Sequence, residues 1–319
     1  MQALQFTATG SLDTLQLQQL PKPVPADGEV LVEVRATGIN PSDIKNVQGL
    51  FPYTTTPRIP GRDFAGVVVA GPEELLGKAV WGGTGKGFGF YQDGCHAQYV
   101  VVPANAVALL PKSLTFAQAA TCGVPFITAW DALERSQVKV GTRFLIIGAG
   151  AVAQAAQALA KARGAEVVLA ARRADAVQAM QAQGVSAFQL EDAEQLPVQA
   201  REHFHQQAPE VIFETTGFWL AAAVNSVDTF GRVAIIAAPK DGLVSLSPLN
   251  LYRRGGSIVG VNSLLYSLEE CARMLKQIGA AFDAGLPVPS GFIELPLADA
   301  VTAYHKVSVG GSEKIVLIP

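Results

Sequence analysis

The sequence predicts an α/β fold in which a β-rich unit is combined with a doubly wound parallel sheet covered by helices. Two observations predict it. In the first third of the chain, short β-branched runs alternate with Gly and Pro, and from Arg143 onward apolar strands alternate with helical segments. The 319 residues are enough for two domains of ordinary size, and 49% of them are apolar, so each domain can bury a core.

The β-rich unit is predicted from strand-like runs at Gln2–Phe6, 30–36, 66–70 and 98–102. They are short, punctuated by Gly and Pro, and show little helical period, which is typical of a barrel-like all-β unit. The closely spaced prolines at 21, 23 and 25 favour an extended connector after the first run. We expect a last strand, Lys314–Ile318, to rejoin this unit.

The character of the sequence changes near Pro111, and the parallel-sheet unit is predicted from an alternation of strands and helices that begins at Arg143. A helix is predicted over Phe116–Ala120 with Thr115 as its N-cap, and an Ala-rich helix over 151–163 ends before Gly164. A further amphipathic helix is predicted over 268–284. The predicted buried strands are 144–147, 167–170, 211–213, 233–237 and 257–261. Such an alternation indicates a parallel sheet with helices on both faces.

Composition excludes several classes of function. The net charge is −3 and only 16% of residues are charged, so there is no electrostatic footprint for nucleic acid or an anionic membrane. Cys95, Cys122 and Cys271 are few and scattered, which fits neither a disulfide framework nor a metal cluster and favours a reducing cytoplasm. We see no secretory signal and no apolar stretch of about 18 residues, so we expect a cytoplasmic protein.

A glycine motif, Gly148 to Ala153, follows an apolar strand and opens a helix within one βαβ unit. Gly148 permits a tight turn, and Gly150 allows the backbone to approach a pyrophosphate closely. The first helical residues, Ala151 and Val152, begin a helix N-terminus whose free N–H groups and dipole attract that anion. The alternative is a glycine turn that binds no ligand.

The residues after the next strand predict which dinucleotide binds. NAD sites carry an acidic residue there, which accepts a hydrogen bond from the ribose 2′-OH. At this position the chain has Arg172 and Arg173, and the first acidic residue after the strand is Asp175. Two guanidinium groups match a 2′-phosphate, so the pair predicts NADPH. The alternative is a pair of solvated arginines.

Several ordered segments resemble the medium-chain dehydrogenase/reductase superfamily, in its zinc-independent quinone oxidoreductase-like branch. The matching segments are 38–43 (GINPSD), 60–66 (PGRDFAG), 128–133 (TAWDAL), 140–141 (VG) and 313–317 (EKIVL). The resemblance implies a GroES-like β-barrel domain, residues 1–112 and 264–319, interrupted by a Rossmann NADP-binding domain, residues 113–263. It also implies an active site in the cleft between them and a homodimer.

The resemblance also predicts that zinc is absent. Zinc-dependent members have a cysteine at the position of Asn40 and a His-Glu pair at Arg62-Asp63, and their third ligand aligns near Cys122 or Val124. A catalytic zinc needs about three converging ligands, which these residues do not supply. Cys95 and His96 are adjacent, but they lack partners at metal-ligand spacing.

The catalytic candidates are Asn40, Asp43 and Tyr53. By resemblance, Asn40 and Asp43 line the cleft: the Asn40 amide is expected to donate to the acceptor oxygen and Asp43 to orient a neighbour such as Lys45. The alternative is a turn with purely local hydrogen bonds. Phe51 stands where many relatives have a tyrosine, so Tyr53 is the candidate to replace it. Alignment assigns five more residues to the cofactor site: Thr128, Thr216, Ala237, Ala238 and Asn262.

These features predict an NADPH-dependent, zinc-independent reductase of quinones or α,β-unsaturated carbonyl compounds. Such acceptors need less polarisation than an unactivated ketone, which a metal would otherwise supply. Two alternatives stay open at this point. One is a zinc-free alcohol or carbonyl dehydrogenase, and the other is a non-catalytic NADPH-binding sensor or structural protein.

Overall fold

The computed structural model describes residues 1–310 and 313–319. The chain forms two compact units. The β-rich unit contains Met1–Ile127 and Ser263–Pro319, and the parallel-sheet unit contains Thr128–Asn262. The helix Gly123–Arg135 contains the first boundary between them.

The β-rich unit is built on a seven-stranded sheet with the strand order β14-β15-β3-β4-β5-β7, in which β6 also pairs with β3. A separate antiparallel pair joins β1 and β2. The strands are β1 Gln2–Phe6, β2 Leu15–Gln19, β3 Glu29–Gly38, β4 Asp63–Ala70, β5 Ala79–Gly83, β6 Tyr99–Pro103, β7 Ala108–Leu109, β14 Phe292–Pro296 and β15 Lys314–Ile318.

In the described part of the β-rich unit, five α-helices lie wholly or partly within it. They are α1 Pro41–Val47, α2 Phe116–Ala120, α3 Gly123–Arg135, α9 Leu268–Asp283 and α10 Ala300–Ser308. The predicted N-cap of α2 is confirmed, because the Thr115 hydroxyl accepts from the Gln118 N–H. Ser267 and Glu270 cap α9 reciprocally, which explains why this amphipathic helix begins where it does.

The last strand rejoins the β-rich unit, as predicted. β15 pairs antiparallel with β3, with Val316 opposite Gly38 and Leu317 opposite Thr37. Ile315, Val316 and Leu317 of β15 are buried, as is typical of a central strand. This pairing brings Lys314, near the end of the chain, close to the segment that follows β3.

The parallel-sheet unit contains six parallel strands with the order β10-β9-β8-β11-β12-β13. The strands are β8 Arg143–Ile147, β9 Glu166–Ala171, β10 Ala187–Gln189, β11 Val211–Glu214, β12 Arg232–Ile235 and β13 Ser257–Gly260. The helices are α4 Ala151–Ala162, α5 Ala174–Ala182, α6 Leu196–His203, α7 Leu220–Ser226 and α8 Pro248–Arg253. Strand order reverses between β8 and β11, which makes that point the topological switch of a Rossmann sheet.

Residues 113–127, which the sequence placed in the parallel-sheet unit, group with the β-rich unit instead. The physical reason is the packing of α2. Its Ala117 and Ala120 lie in one buried cluster with Ala36 of β3 and Val316 of β15. Small side chains allow this close approach, and their helical spacing does not reveal which sheet they cover.

None of the helices described in residues 1–310 and 313–319 combines the length and the apolar character that crossing a membrane requires.

Candidate functional site

The turn after β8 is shaped by Gly148. Its φ is +125°, and a Cβ at this position would lie 2.1 Å from the Thr215 Oγ1 atom. The Thr215 hydroxyl in turn donates to the Ile147 carbonyl oxygen at 2.7 Å. Only glycine fits this turn, because a side chain would collide with the residue that follows β11.

Gly150 is the N-cap of α4, and no described side chain caps this helix end. A Cβ on Gly150 would meet no atom within 4 Å, so there is open space beside the first turn. Ala151 and Val152 occupy the first two helical positions. Uncapped N–H groups and the positive end of the helix dipole thus meet at the topological switch, an arrangement that attracts anions.

The loops after β11 and β12 extend this edge. The Glu214 carboxylate, which is fully buried, accepts from the N–H of Thr216 at 2.7 Å and of Gly217 at 2.8 Å. A Cβ on Gly217 would lie 2.8 Å from the carbonyl carbon of Ala238, so the two loops touch. We call the residues Gly148, Gly150, Thr215, Thr216, Gly217 and Ala238 the nucleotide edge.

The remaining cofactor candidates lie in two loops and one helix. Ala237 precedes Ala238 in the loop after β12, Asn262 follows β13, and Thr128 lies within α3. The structure thus brings the β8, β11 and β12 candidates to one edge of the sheet.

The two arginines after β9 are not equivalent. Arg173 is the N-cap residue of α5, and its guanidinium group forms a two-pronged ion pair with Asp175, with Nε donating to Oδ1 at 2.9 Å. The hydrogen bond from Arg173 lowers the pKa of Asp175 to about 2. Arg172 is exposed, and its carbonyl oxygen accepts from the Gln189 amide. Arg173 thus has a counter-charge in Asp175, and the contact of both arginines with one phosphate stays a prediction.

In the β-rich unit, Asn40 and Asp43 begin α1. The Asn40 N–H donates to Asp43 Oδ2 at 2.8 Å, which caps the helix. The other carboxylate oxygen, Oδ1, accepts from Arg62 Nε at 3.1 Å, and the Arg62 guanidinium also contacts the Ser42 hydroxyl. The expectation that Asp43 orients Lys45 is wrong, because Asp43 is 1% exposed and its partner is the equally buried Arg62.

Asp63, the first residue of β4, accepts hydrogen bonds at both carboxylate oxygens. Oδ1 accepts from the Val124 N–H at 2.8 Å, and Oδ2 accepts from Asn40 Nδ2 at 2.9 Å. Lys314 completes the arrangement, with Nζ 2.5 Å from Asn40 Oδ1 and 3.8 Å from Asp63 Oδ2. Long-range bonds thus dominate at Asn40, so the purely local turn does not describe it.

We call Asn40, Asp43, Arg62, Asp63 and Lys314 the polar cluster. Its two carboxylates and two cations balance, and each carboxylate has its own cation. Burial raises the pKa of Asp63, against the opposing effects of Lys314 and Asn40, and lowers the pKa of Lys314, against the effect of Asp63. Lost hydration is the cause of both shifts, which makes mutual pairing essential to the cluster.

The polar cluster does not fit zinc, which needs about three N, S or O ligands and an open position. The two Asp63 oxygens already accept one hydrogen bond each, and Oδ2 also forms an ion pair with the Lys314 ammonium group. Cys95 Sγ contacts Thr37 Oγ1 at 3.2 Å, and His96 Nδ1 pairs with the Tyr304 hydroxyl at 2.8 Å. No group of three His, Cys, Asp or Glu side chains within residues 1–310 and 313–319 is arranged to hold a metal.

Tyr53 lies in an aromatic group rather than in the polar cluster. Its ring centroid is 5.9 Å from that of Phe51 and 5.4 Å from that of Phe90. The side chain is 44% exposed, and partial burial raises its pKa. Phe90 connects the aromatic group to the cluster, because its ring centroid lies 5.4 Å from Arg62 Cζ.

Comparison with known proteins identifies the family. The family model for the alcohol dehydrogenase GroES-like domain matches residues 26–112, and that for zinc-binding dehydrogenases matches residues 151–280. A zinc-type alcohol dehydrogenase-like protein of Schizosaccharomyces pombe is 36% identical over 311 residues, which cover 95% of this chain and 92% of that protein. This chain belongs to the medium-chain dehydrogenase/reductase superfamily.

Other similarities place this superfamily member in the quinone oxidoreductase-like branch. A quinone oxidoreductase of Sus scrofa is 29% identical over 341 residues and covers 100% of this chain and 98% of its own. An alcohol dehydrogenase superfamily protein of Novosphingobium aromaticivorans has a crystal structure with a TM-score of 0.89 and 30% identity, covering 100% and 99% of the two chains. The predicted family and fold class are confirmed, and the protein has the fold of a nucleotide-binding oxidoreductase.

Proposed function

We propose that this superfamily member is an NADPH-dependent reductase that transfers hydride to a quinone or an α,β-unsaturated carbonyl compound without zinc. The observation that carries the proposal is the polar cluster. A lysine ammonium group lies against Asn40 and Asp63, the positions at which the resemblance puts zinc ligands in zinc-dependent members.

The nucleotide edge fits a dinucleotide. The N–H groups of Ala151 and Val152 would hold the pyrophosphate, and the space beside Gly150 admits it. The nicotinamide supplies a hydride when bound. We further propose that Thr128, Thr216, Ala237, Ala238 and Asn262 hold the remainder of the cofactor.

The preference for NADPH rests on the end of β9. The residues there are Arg172 and Arg173, with no carboxylate before Asp175. Because Asp175 already pairs with Arg173, we assign the main phosphate contact to Arg172 and a secondary contact to Arg173. This unequal division replaces the equal pair that the sequence predicts.

The proposed class of acceptor substrate follows from the polar cluster, whose residues do not supply the ligands that a catalytic zinc needs. Without a Lewis acid, the favoured substrates are those whose carbonyl group already activates a carbon toward hydride. Asn40 and Asp43 would position polar groups near the acceptor oxygen. Tyr53, which is exposed beside Phe51 and Phe90, would contact the acceptor itself.

We also propose a cytoplasmic homodimer. The edge strand β13 is only partly covered, and apolar side chains near that edge are exposed, among them Phe230 and Tyr252. An uncovered edge strand with apolar neighbours favours pairing with a second copy. The three cysteines are free and buried, as suits a reducing compartment.

Cofactor oxidation with a panel of acceptors tests the function. Absorbance of NADPH and of NADH is followed with benzoquinones, enones, and saturated ketones of matched size. We expect turnover of the first two classes with NADPH, weak turnover with NADH, and none with saturated ketones. Tight NADPH binding without turnover of any acceptor supports the non-catalytic alternative. Equal affinity for the two cofactors contradicts the assignment of the arginines.

A further inference from the structure

Lys314 is the least buried charged member of the polar cluster. Its side chain is 14% exposed, whereas the Asp63 side chain is 1% exposed and those of Arg62 and Asp43 are 2% exposed. Asn40 is also 2% exposed, and both ends of its amide are engaged, Nδ2 by Asp63 and Oδ1 by Lys314. Lys314 is therefore the most accessible side chain of the cluster, and its ammonium group contacts the asparagine directly.

The ammonium group has capacity for a further ligand. It carries three N–H donors, and within residues 1–310 and 313–319 it donates one hydrogen bond, to Asn40 Oδ1. Asp63 Oδ2, at 3.8 Å, provides an ion pair beyond hydrogen-bond distance. The charge of Lys314 is thus balanced by Asp63, while two of the three N–H donors remain for an oxygen atom of a ligand.

The position of this ammonium group is fixed by the sheet. Lys314 is the first residue of β15, which pairs on one side with β14 and on the other with β3. The aliphatic part of the Lys314 side chain packs beside Gly38. A Cβ added to Gly38 would lie 3.2 Å from Lys314 Cε. A cation held by a central strand does not need to reorganise when charge develops beside it, which is the requirement for electrostatic catalysis.

We propose that Lys314 is a catalytic residue: its ammonium group donates a hydrogen bond to the carbonyl oxygen of the acceptor and stabilises the negative charge that this oxygen gains. Asn40 and Asp63 then act as positioning residues that orient the ammonium group. This inference rests on the proposed reductase function. It assigns to a lysine the charge-stabilising role that a Lewis-acid metal fills in other enzymes.

The chemistry balances with the lysine protonated throughout. A hydride brings two electrons and one hydrogen to an acceptor carbon as NADPH is oxidised to NADP⁺. The displaced π pair moves onto the carbonyl oxygen, and a proton from water completes the reduced product. Burial removes water from the Lys314 amine, which lowers its pKa, and a charge with little water around it interacts strongly with an anionic oxygen.

Replacement of Lys314 tests the charge. Lys314→Met should lower kcat about 100-fold, the effect of removing one donor to a developing oxyanion, with the dissociation constant for NADPH unchanged. Lys314→Arg keeps the positive charge, so its kcat should fall less than that of Lys314→Met. Lys306→Met removes an exposed lysine that pairs with Glu313 at 3.7 Å, and it should leave kcat unchanged.

A spectroscopic readout independent of turnover uses 4-nitrophenol, whose ionised form resembles the anionic product and absorbs at longer wavelength. Titrated into the NADP⁺ complex, it should bind to wild-type protein as the phenolate and show an apparent pKa below its free value. The shift should persist in Lys306→Met and Lys314→Arg and disappear in Lys314→Met.

A double variant separates catalysis from folding. Lys314→Met alone leaves Asp63 buried without its cation, whereas Lys314→Met with Asp63→Asn restores neutrality. The double variant should unfold at a temperature near that of the wild type and still lack turnover and the phenolate shift. If wild-type protein reduces acceptors but either Lys314→Met form keeps kcat and the shift, the role of Lys314 is refuted. If the wild type itself does not turn over, the proposed function fails instead.

Discussion

The nucleotide edge and the polar cluster are built in opposite ways. At the nucleotide edge, Gly148 and Gly150 contribute no side chain, and the backbone N–H groups of α4 are left uncapped beside open space. In the polar cluster, charged side chains fill the space and each carboxylate has a cation. A site that binds an anion through backbone N–H groups needs space for that anion. A buried cluster of charged side chains needs a partner of opposite charge for each carboxylate and each cation. The two regions should therefore respond differently to substitution.

The largest expected effect is on stability, in the polar cluster. Asp63→Ala removes a buried acceptor of the Asn40 and Val124 N–H groups and the counter-charge of Lys314. Loss of one partner of a buried pair costs about 3–5 kcal/mol in the free energy of unfolding. Urea unfolding measures it. The control is Asp175→Ala, which breaks an exposed Arg–Asp pair and should change stability little. Equal losses in the two variants would show that the cluster does not depend on its pairing.

Gly150→Asp should affect binding rather than stability. Aspartate is a good N-cap, so α4 should be retained or gain up to about 1 kcal/mol. Its carboxylate occupies the space beside Gly150 and repels a pyrophosphate, so the dissociation constant for NADPH should rise at least about tenfold, or ~1.4 kcal/mol. Gly150→Ser caps the helix without charge and should weaken binding less. Fluorescence titration with NADPH measures the difference. Unchanged affinity in Gly150→Asp would remove the pyrophosphate from this helix end.

The arginines after β9 should differ in their effect on NADPH. Arg172→Ala should weaken NADPH binding about tenfold, the loss of one charge-assisted contact. Arg173→Ala should weaken it less, because Asp175 already takes up much of that charge. Asp175→Asn should strengthen NADPH binding. NADH titrations of the same variants provide the control, since NADH lacks the 2′-phosphate. The opposite order of the two arginine variants would show that the ion pair opens when the cofactor binds.

The smallest expected effect is a pH dependence of stability from His96. Burial lowers its pKa, and its hydroxyl partner is Tyr304. In the unfolded chain the pKa is about 6.5, so acidification below that value protonates the unfolded state first and stability falls. Between pH 7.5 and 5.5 the loss should reach about 1 kcal/mol. His96→Gln should show a smaller loss in urea unfolding at the two pH values. Equal losses of stability in the wild type and in His96→Gln would show that other groups cause the pH dependence.

The sequence predicts the nucleotide edge better than the polar cluster, for a physical reason. The glycine turn, the helix it opens and the preceding strand lie within 20 or so consecutive residues of one βαβ unit, so local pattern and spacing are informative. Thr215 is the part of the turn that the sequence analysis missed. It follows β11, and its contact with Gly148 becomes visible only when the parallel register is known.

In the polar cluster, the sequence predicts that Asn40 and Asp43 belong to the site, but it does not predict their hydrogen-bond and ion-pair partners. Asn40 and Lys314 are 274 positions apart and meet because β15 pairs with β3. The terminal segment was recognised by resemblance, but nothing local shows that its lysine is buried. A lysine at the start of an apolar strand was the available signal. The partner of Asp43 is Arg62 rather than Lys45, because the fold brings the segment before β4 against α1, and spacing within α1 does not show this.

The most direct measurement for the proposed zinc-free mechanism is steady-state NADPH oxidation by protein dialysed against a chelator, with metal content determined on the same sample. We predict that quinone turnover persists at full rate with well below one zinc per chain, and that added zinc does not raise it. Turnover that disappears on dialysis and returns in proportion to added zinc would contradict the assignment of a lysine to this site.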